Sequence, residues 1–461
     1  MFQRGRPNHI LRLGSFVLAT TIGLAGCSSH QPAASKGEDD GSLWWKHIEY
    51  LASDDLKGRY TGSEGYKKAA DYMVTQFQAV GLEPAGTNGY LQPIEFETRR
   101  VIAEKSSFDL IAGGKTTALK VPSQVALAAA GESGKIVTAP MVFTGYGLTV
   151  PEDHYDDFAG VKTRGAIGVR LAGGAPRSVA PLLAAYYGSN EVARKRAAQV
   201  GLIGGVGLVN PKVIDLPWPR LINTAMTTEL RPEPPTIDDS GWTRKLGGLI
   251  SPEAADKILA GTGHTLDELV KLNQEGKPLP HLALRAKLRA KVTYESGKVE
   301  SPNVLAMIPG NDPALKDQYV LISAHLDHIG IGLPVNGDAI YNGAMDNASG
   351  VATLIETARL IKSGAAPKRS ILFLACTGEE EGELGSEVYA AEPTVPLHNI
   401  VADINLDMYL PLFPLKILRA YGLKESDLAN YVEAAAQENG IRVQDDPHPE
   451  ENIFIRSDQY S

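Results

Sequence analysis

Apolar residues recur along this chain with two periods, and the change of period marks out its organisation. From Ser301 onward, near-continuous apolar runs alternate with segments of helical period, which predicts buried strands separated by helices. The predicted strands are residues 304–308, 319–324, 370–375 and 400–406. The predicted helices are residues 350–361 and 425–439, each followed closely by a glycine. This alternation is typical of a three-layer α/β domain in which the strands are central.

The first folded stretch covers residues 43–97 and contains another predicted helix, at residues 64–80. Ala69, Met73 and Phe77 recur at helical spacing, and Gly81 follows as a stop signal. We therefore expect an amphipathic helix that packs one face against a sheet.

The sequence pattern is different between residues 98 and 299. Short runs with strand character at residues 135–144, 165–171 and 200–209 are separated by many glycines and prolines. We predict an inserted β-rich domain at residues 98–299, so that residues 43–97 and 300–461 are two parts of one domain.

Composition narrows the functional classes. The chain has 461 residues, 43% of them hydrophobic, and a formal net charge of −9 from 45 basic and 54 acidic residues. No basic block occurs, so nucleic acid is not an expected partner. Two cysteines cannot form a disulfide framework, and Cys376, inside an apolar run, is predicted to be a small buried residue.

Cys27 ends a segment that has the pattern of a secretory signal. Arg4, Arg6 and Arg12 accompany an apolar stretch at residues 13–24, and the sequence Leu-Ala-Gly-Cys closes it as a lipobox. The apolar stretch is shorter than the roughly 20 residues that a membrane span needs. A plain signal peptide is the alternative interpretation.

The lipobox predicts that residues 1–26 are removed as a signal peptide and that Cys27 carries lipid. Residues 27–42 are small and polar and are expected to act as a flexible tether. Ser28 follows the cysteine, and no aspartate stands there to favour inner-membrane retention. We expect an exported bacterial lipoprotein, anchored at the periplasmic face or cell envelope, with the outer membrane favoured.

Five acidic and imidazole residues in the last third of the chain suggest a metal site. Each follows a predicted strand or precedes a predicted helix, and they are His325, Asp346, Glu379, Glu380 and Asp407. Ligands of open α/β sheets gather beyond the carboxyl ends of the strands, so we expect these side chains to converge there. Imidazole and carboxylate groups are the usual ligands of zinc when thiolates are absent.

Two further features of these motifs suggest roles. Asp327 lies two residues after His325, on the same side of an extended chain, and its carboxylate could hold the second nitrogen of the imidazole. Adjacent Glu379 and Glu380 point in different directions, so one can bind metal while the other accepts a proton from the attacking water. The pattern indicates a metal-dependent hydrolase.

The four motifs, AHLDH at 324–328, GAMDNASG at 343–350, TGEEEGELGS at 377–386 and NLDM at 405–408, resemble those of peptidase family M28. This family of co-catalytic zinc exopeptidases includes bacterial leucyl aminopeptidases and glutamate carboxypeptidases, and the resemblance covers residues 43–96 and 301 to the end. The insert resembles a protease-associated (PA) domain through VFTGYG and YDDFAG. The resemblance implies a three-layer α/β/α zinc-exopeptidase fold, of the phosphorylase/hydrolase-like type, carrying an inserted PA domain.

The resemblance also implies roles for these residues. His325, Asp346 and Asp407 would hold one zinc ion, and Asp346 would bridge to a second zinc ion that Glu380 also binds. Glu379 would be the general base. The implied function is an aminopeptidase that removes N-terminal residues from peptides with zinc-activated water. Alternatives are a non-catalytic peptide-binding relative, and carboxypeptidase or glutaminyl-cyclase chemistry on the same fold.

The sequence departs from the family at its last ligand. The family has Ser-Asp-His, whereas here Gln459 follows Ser457 and Asp458. A neutral amide oxygen is a weak zinc ligand, so with Gln459 the second zinc ion would be loosely held, replaced by another ion, or bound by a nearby group such as His448. The chain also stops at Ser461, before a further strand and helix found in relatives, which suggests an incomplete catalytic domain.

Overall fold

The computed structural model describes residues 40–214, 216–226, 228–235, 244–409, 414–423, 425–447 and 453–461. The predicted signal peptide, Cys27 and His448 lie outside these residues. Within them, no helix combines the length and apolarity that crossing a membrane would require.

The N-terminal part of the fold consists of two helices and three strands. Its elements are α1 (Asp40–Leu51), α2 (Glu64–Val80), β1 (Glu83–Pro84), β2 (Leu91–Gln92) and β3 (Glu95–Val101), with a 3-10 turn at Asp54–Arg59. Helix α2 has the predicted bounds. The Ser63 hydroxyl accepts a hydrogen bond from the backbone N–H of Tyr66 at 3.1 Å, and Gly81 ends the helix with φ +78°.

In the part of the insert that the structure describes there are twelve strands and five helices. Its strands are β4 (Ser107–Ala112), β5 (Lys115–Leu119), β6 (Val125–Ala128), β7 (Ile136–Thr144), β8 (Thr149–Val150), β9 (Tyr155–Asp156), β10 (Ile167–Ala172), β11 (Gly204–Val209), β12 (Glu229–Glu233), β13 (Gly247–Ile250), β14 (His281–Lys291) and β15 (Tyr294–Glu300). Its helices are α3 (Pro181–Gly188), α4 (Asn190–Gln199), α5 (Trp218–Ala225), α6 (Pro252–Leu259) and α7 (Leu266–Gln274). The three predicted β runs are confirmed as β7, β10 and β11, whereas the helices of the insert were not predicted.

An eight-stranded sheet forms the body of the insert, in the order β5-β4-β14-β7-β10-β11-β13-β6. Phe108, Phe143, Leu208 and Leu288 lie in one hydrophobic core that belongs to this sheet. The chain enters along β3 and leaves along β15, which pair antiparallel. The insert is therefore joined to the rest of the chain through adjacent strands, and its identity as a PA domain stays a prediction.

The described residues of the C-terminal part form eight strands and three helices. They are β16 (Asn303–Ile308), β17 (Tyr319–His325), β18 (Gly330–Val335), β19 (Asp338–Tyr341), α8 (Ser349–Ser363), β20 (Ser370–Cys376), α9 (Leu384–Ala391), β21 (Ile400–Asn405), β22 (Ile417–Arg419), α10 (Leu428–Glu438) and β23 (Arg442–Gln444). All four predicted strands and both predicted helices are present, with bounds shifted by three residues at most.

The central sheet has the order β1-β16-β20-β17-β21, and β2 also pairs with β16. One face packs on α2 and α8 through residues such as Phe77, Leu354 and Phe373. The other face contains Leu372, Leu374 and the buried Cys376, with Tyr389 of α9 packed against it. Helices therefore cover both faces of the sheet, in agreement with the predicted fold class.

The prediction that residues 400–406 form a central strand is wrong for the residues that the structure describes. Strand β21 pairs there with β17 alone, and Val401 and Ile404 are 49% and 44% exposed. Apolar composition predicted burial, but the position of a strand within a sheet depends on pairings that composition does not encode.

Candidate metal centre

The topology of the central sheet brings the predicted metal ligands to one edge. Strands β17, β20 and β21 run parallel, with His325 opposite Cys376 in the register of β17 and β20. Glu379 and Glu380 follow β20, and Asp407 follows β21. Asp346 lies in the turn Ala344–Ala348 immediately before α8. The carboxyl ends of the three strands therefore deliver side chains from distant parts of the sequence to one place.

The distances confirm that the predicted residues meet. The Nε2 atom of His325 lies 3.1 Å from Asp346 Oδ1, 3.4 Å from Asp407 Oδ1 and 4.0 Å from Glu379 Oε2. His325, Asp346 and Glu380 offer ligand atoms that all lie within 4.8 Å of one another, and so do His325, Glu379 and Asp407. His325 thus belongs to both of these overlapping groups.

The geometry of the group fits a bound zinc ion. Two donor atoms that each lie about 2.1 Å from a tetrahedral zinc ion are about 3.4 Å apart. The separations of 3.1 and 3.4 Å from His325 Nε2 match that spacing. Asp407 Oδ1 is buried and has no hydrogen-bond partner among the residues that the structure describes, so its lone pairs are available to a cation. The donor set is imidazole nitrogen and carboxylate oxygen, which suits zinc.

Asp327 acts on a different partner from the predicted one. The His325 Nδ1 atom lies 3.2 Å from the backbone carbonyl of Asp327, not from its carboxylate. That carboxylate is fully buried and accepts hydrogen bonds from the backbone N–H groups of Glu379 and Glu380, at 3.2 and 3.3 Å, and from the Thr61 hydroxyl at 3.1 Å. Asp327 therefore fixes the backbone of the loop that carries both glutamates.

Burial shapes the proton affinities of the site. It raises the pKa of Glu379 to about 9 and that of Asp327 to about 6, since a carboxylate in an apolar surrounding favours its neutral form. Burial opposes protonation of His325, but the carboxylates of Asp346 and Asp407 raise its pKa overall. For Asp346 the burial effect is outweighed by the hydrogen bond and charge of His325, and its pKa is lowered. The acids of the site thus differ widely in proton affinity.

Gln459 does not point toward the carboxylates that would bind the second ion. Its Oε1 atom accepts a hydrogen bond from Asn405 at 2.8 Å, and its amide nitrogen donates to the carbonyl of Phe454. The neighbouring Ser457 hydroxyl donates to Asp407 Oδ2 at 2.7 Å. Ser457 therefore supports Asp407, while the amide of Gln459 is occupied by Asn405 and Phe454.

Two residues beneath the site were not predicted from the sequence to have a functional role. The Arg59 guanidinium is 1% exposed and donates to the carbonyls of Leu51, Leu326, Asn342 and Gly343. His328 is buried as well, and its Nδ1 atom lies 2.5 Å from Glu380 Oε1. His328 shares the motif of His325, which was a usable signal. Nothing local in the sequence distinguishes Arg59 from a surface arginine.

Comparison with known proteins agrees with this fold and with a metallopeptidase. A family model described as Peptidase family M28 matches residues 303–461, and this part of the chain belongs to that family. A probable zinc metalloprotease of Pyrenophora teres f. teres (strain 0-1) is 38% identical over 111 residues, covering 24% of this chain and 23% of the relative. Carboxypeptidase Q of Xenopus laevis is 29% identical over 147 residues, covering 30% and 29%. The chain thus matches less than a third of the length of these relatives.

One solved structure resembles almost the whole chain. It is an aminopeptidase from Aneurinibacillus sp. strain AM-1, with a TM-score of 0.53 and 18% identity, covering 91% of this chain and 81% of the other. At this identity the likeness concerns the fold. The predicted M28 family is confirmed for residues 303–461 and the predicted α/β fold class is confirmed, whereas the PA assignment of the insert stays a prediction.

Proposed function

We propose that the protein is a zinc-dependent exopeptidase that removes N-terminal residues from peptides, with two ions at the site. The observation that carries the proposal is the convergence of His325, Asp346, Glu380 and Asp407 at one edge of the sheet, with Glu379 beside them. Acidic groups at this spacing would repel one another and remain partly desolvated, so a divalent cation is their natural partner.

The chemistry divides between the cation and the protein. A bound zinc ion would polarise the scissile carbonyl and lower the pKa of a water molecule. His325, Asp346 and Asp407 would hold the first ion, and Asp346 with Glu380 the second. The side chain of Glu379 is 13% exposed, so it can reach a substrate while remaining shielded. Its carboxylate would accept a proton from the water and deliver it to the leaving amine.

Two comparisons bear on the direction of exopeptidase action. The match over almost the whole chain is to an aminopeptidase, whereas carboxypeptidase Q is among the relatives in sequence. We favour aminopeptidase action because the fold likeness includes the insert as well as the central sheet. Carboxypeptidase action is the second candidate, on the strength of the sequence relative.

The test uses the substitution Glu379→Gln, which keeps the size of the side chain and removes its ability to accept a proton. We expect turnover of aminoacyl anilides to fall about 10²- to 10⁴-fold, the usual contribution of general acid–base catalysis, while the zinc content is unchanged. Glu383→Gln is the matched control, because it makes the same change in the same loop outside both ligand groups. Undiminished turnover in Glu379→Gln would refute the mechanism.

Substrate blocking decides the direction. An aminopeptidase cleaves a peptide with a free N-terminus and ignores the same peptide after acetylation. A carboxypeptidase cleaves the acetylated peptide and is stopped by C-terminal amidation. Cleavage of the acetylated peptide, with no cleavage of the C-terminally amidated peptide, would replace the first proposal by the second candidate.

We further propose that Cys27 anchors the protein to a membrane surface through lipid, as an exported lipoprotein. The support is the sequence pattern of the first 27 residues, which lie outside the described structure. Mass spectrometry of the N-terminal peptide should find a lipid-modified Cys27, and Cys27→Ala should move the protein from the membrane fraction to the soluble fraction. An unmodified cysteine in a membrane-bound protein would contradict the proposal.

A further inference from the structure

His328 makes a close contact with one of the proposed ligands of the second ion. Its Nδ1 atom lies 2.5 Å from Glu380 Oε1, and the two side chains are 9% and 19% exposed. An ionised carboxylate can only accept a hydrogen bond, so the imidazole must donate through Nδ1–H. A short, shielded bond of this kind is among the stronger hydrogen bonds in proteins.

The imidazole is held on two sides. The backbone N–H of His328 donates to the Arg59 carbonyl at 3.2 Å. The ring packs directly on Gly343, where a Cβ atom would lie only 2.6 Å from His328 Cδ2. Gly343 has φ +62°, a conformation that glycine adopts without strain. The ring therefore has little freedom to leave Glu380.

Glu380 is fixed at its other end by Asp327, whose carboxylate accepts its backbone N–H at 3.3 Å. His328 then fixes the far end of the side chain through Oε1. This leaves the second carboxylate oxygen, Oε2, to face a cation. Both ends of Glu380 are thus restrained before any ion binds, which is how preorganised metal ligands are usually supported.

We propose that His328 is a positioning residue that orients Glu380 and thereby sets the affinity of the second metal ion. The inference rests on the proposed function. The contact is not that of two ligands sharing one ion, because donors on a tetrahedral zinc ion are about 3.4 Å apart, whereas these atoms are 2.5 Å apart. The dependence on Glu380 is strong here because Gln459 supplies no imidazole and its amide is engaged elsewhere.

The test compares two substitutions in the full chain after removal of metal. His328→Phe keeps a ring of similar size against Gly343 but has no donor. His328→Asn places an amide N–H near the position of Nδ1, so it can restore the hydrogen bond although an amide nitrogen does not bind zinc. His398→Phe is the control, since it makes the same change at an exposed histidine. Zinc and cobalt(II) titrations, monitored by calorimetry and by visible absorption, measure the affinities of the two ions separately.

We expect the second ion to bind about 10- to 100-fold more weakly to His328→Phe, the usual effect of losing a supporting hydrogen bond to a ligand. The first ion should bind as in the unchanged protein, and His328→Asn should recover most of the lost affinity. If His328→Phe does not fold, His328→Gln replaces it, because its amide lies nearer the position of Nε2 and should restore less than Asn.

The outcomes separate this inference from the proposed function. If His328→Phe binds the second ion as tightly as the unchanged protein does, the role of His328 is overturned and the exopeptidase proposal stands. Equal losses in the Phe and Asn variants would overturn the hydrogen-bond role. A single ion bound by the unchanged protein would remove the second site itself, and both proposals would lose their two-ion basis.

Discussion

Arg59 offers a direct test of how the fold supports the metal centre. Its guanidinium is 1% exposed and donates to four backbone carbonyls, two of which belong to Asn342 and Gly343 in the chain leading to Asp346. Burial lowers its pKa to about 10, yet at neutral pH it remains charged. Three nearby acids, Asp327, Asp346 and Glu380, oppose that lowering. Arg59 therefore ties together several loops at the base of the site.

The magnitude follows from those four contacts. Hydrogen bonds to charged groups contribute about 1.5–3 kcal/mol each, so a simple sum gives roughly 6–12 kcal/mol as an upper bound. Carbonyls left without the guanidinium can recover water, and losses above about 4–5 kcal/mol are exceptional for one substitution. We expect Arg59→Met to lower the free energy of unfolding by about 4 kcal/mol. Displacement of the 342–346 segment should also weaken zinc binding.

Urea unfolding of the metal-free protein measures the first effect, and zinc titration measures the second. The matched control is Arg100→Met, because Arg100 makes an exposed ion pair with Glu295 and both side chains are 62% exposed. Exposed pairs contribute about 0–1 kcal/mol, so the control should change little. A loss in Arg59→Met no larger than that of the control would refute the claim that this guanidinium supports the site.

Two further predictions concern other parts of the chain. Gly343→Ala should lower the free energy of unfolding of the metal-free protein by about 1–3 kcal/mol, as measured by urea unfolding. The reason is that Gly343 has φ +62° and the new Cβ would lie 2.4 Å from the Asp346 carbonyl oxygen. The control is Gly337→Ala, which should cost less because Gly337 has φ +91° but open space around it. In the insert, the hydrogen bond to Asp157 raises the pKa of His281 in the folded protein. The protonated His281 therefore stabilises the fold fully below a pH of about 6.5, and this contribution is lost as pH rises through the folded-state pKa. The stability difference between the unchanged protein and His281→Gln, measured by urea unfolding across pH, should shrink as pH rises, and a difference that grows would contradict the assignment.

The sequence predicted the central sheet well because its strands have a distinctive composition. Residues 319–324 and 370–375 are nearly all apolar, and both became strands buried between helical layers. The convergence of the candidate ligands could be predicted for a related reason. Parallel strands end at one edge of the sheet, so polar residues directly after apolar runs must meet there.

The finer arrangement of the site depended on contacts that sequence does not encode. Alternation along an extended chain placed Asp327 beside the imidazole of His325, but β17 ends at His325 and the backbone then turns. The Asp327 carboxylate consequently reaches the N–H groups of Glu379 and Glu380 from the next strand. Arg59 was equally inaccessible, since its partners come from three separate segments of the chain.

The charge balance beneath the site explains why such a centre is costly to build. Burial raises the pKa of Asp403 to about 7, and it raises the pKa of Asp458, whose two carboxylate oxygens have no hydrogen-bond partner among the described residues. Together with Glu379 and Asp327 these acids are held where ionisation is unfavourable. Among the described residues, the guanidinium of Arg59 donates no hydrogen bond to these acids, because four of its five N–H groups donate to backbone carbonyls. A cation bound at His325 would lower the proton affinity of every acid near it, so metal binding and ionisation of the site should be coupled. On this reasoning the fold accepts an unfavourable concentration of acids in order to present a strong cation site.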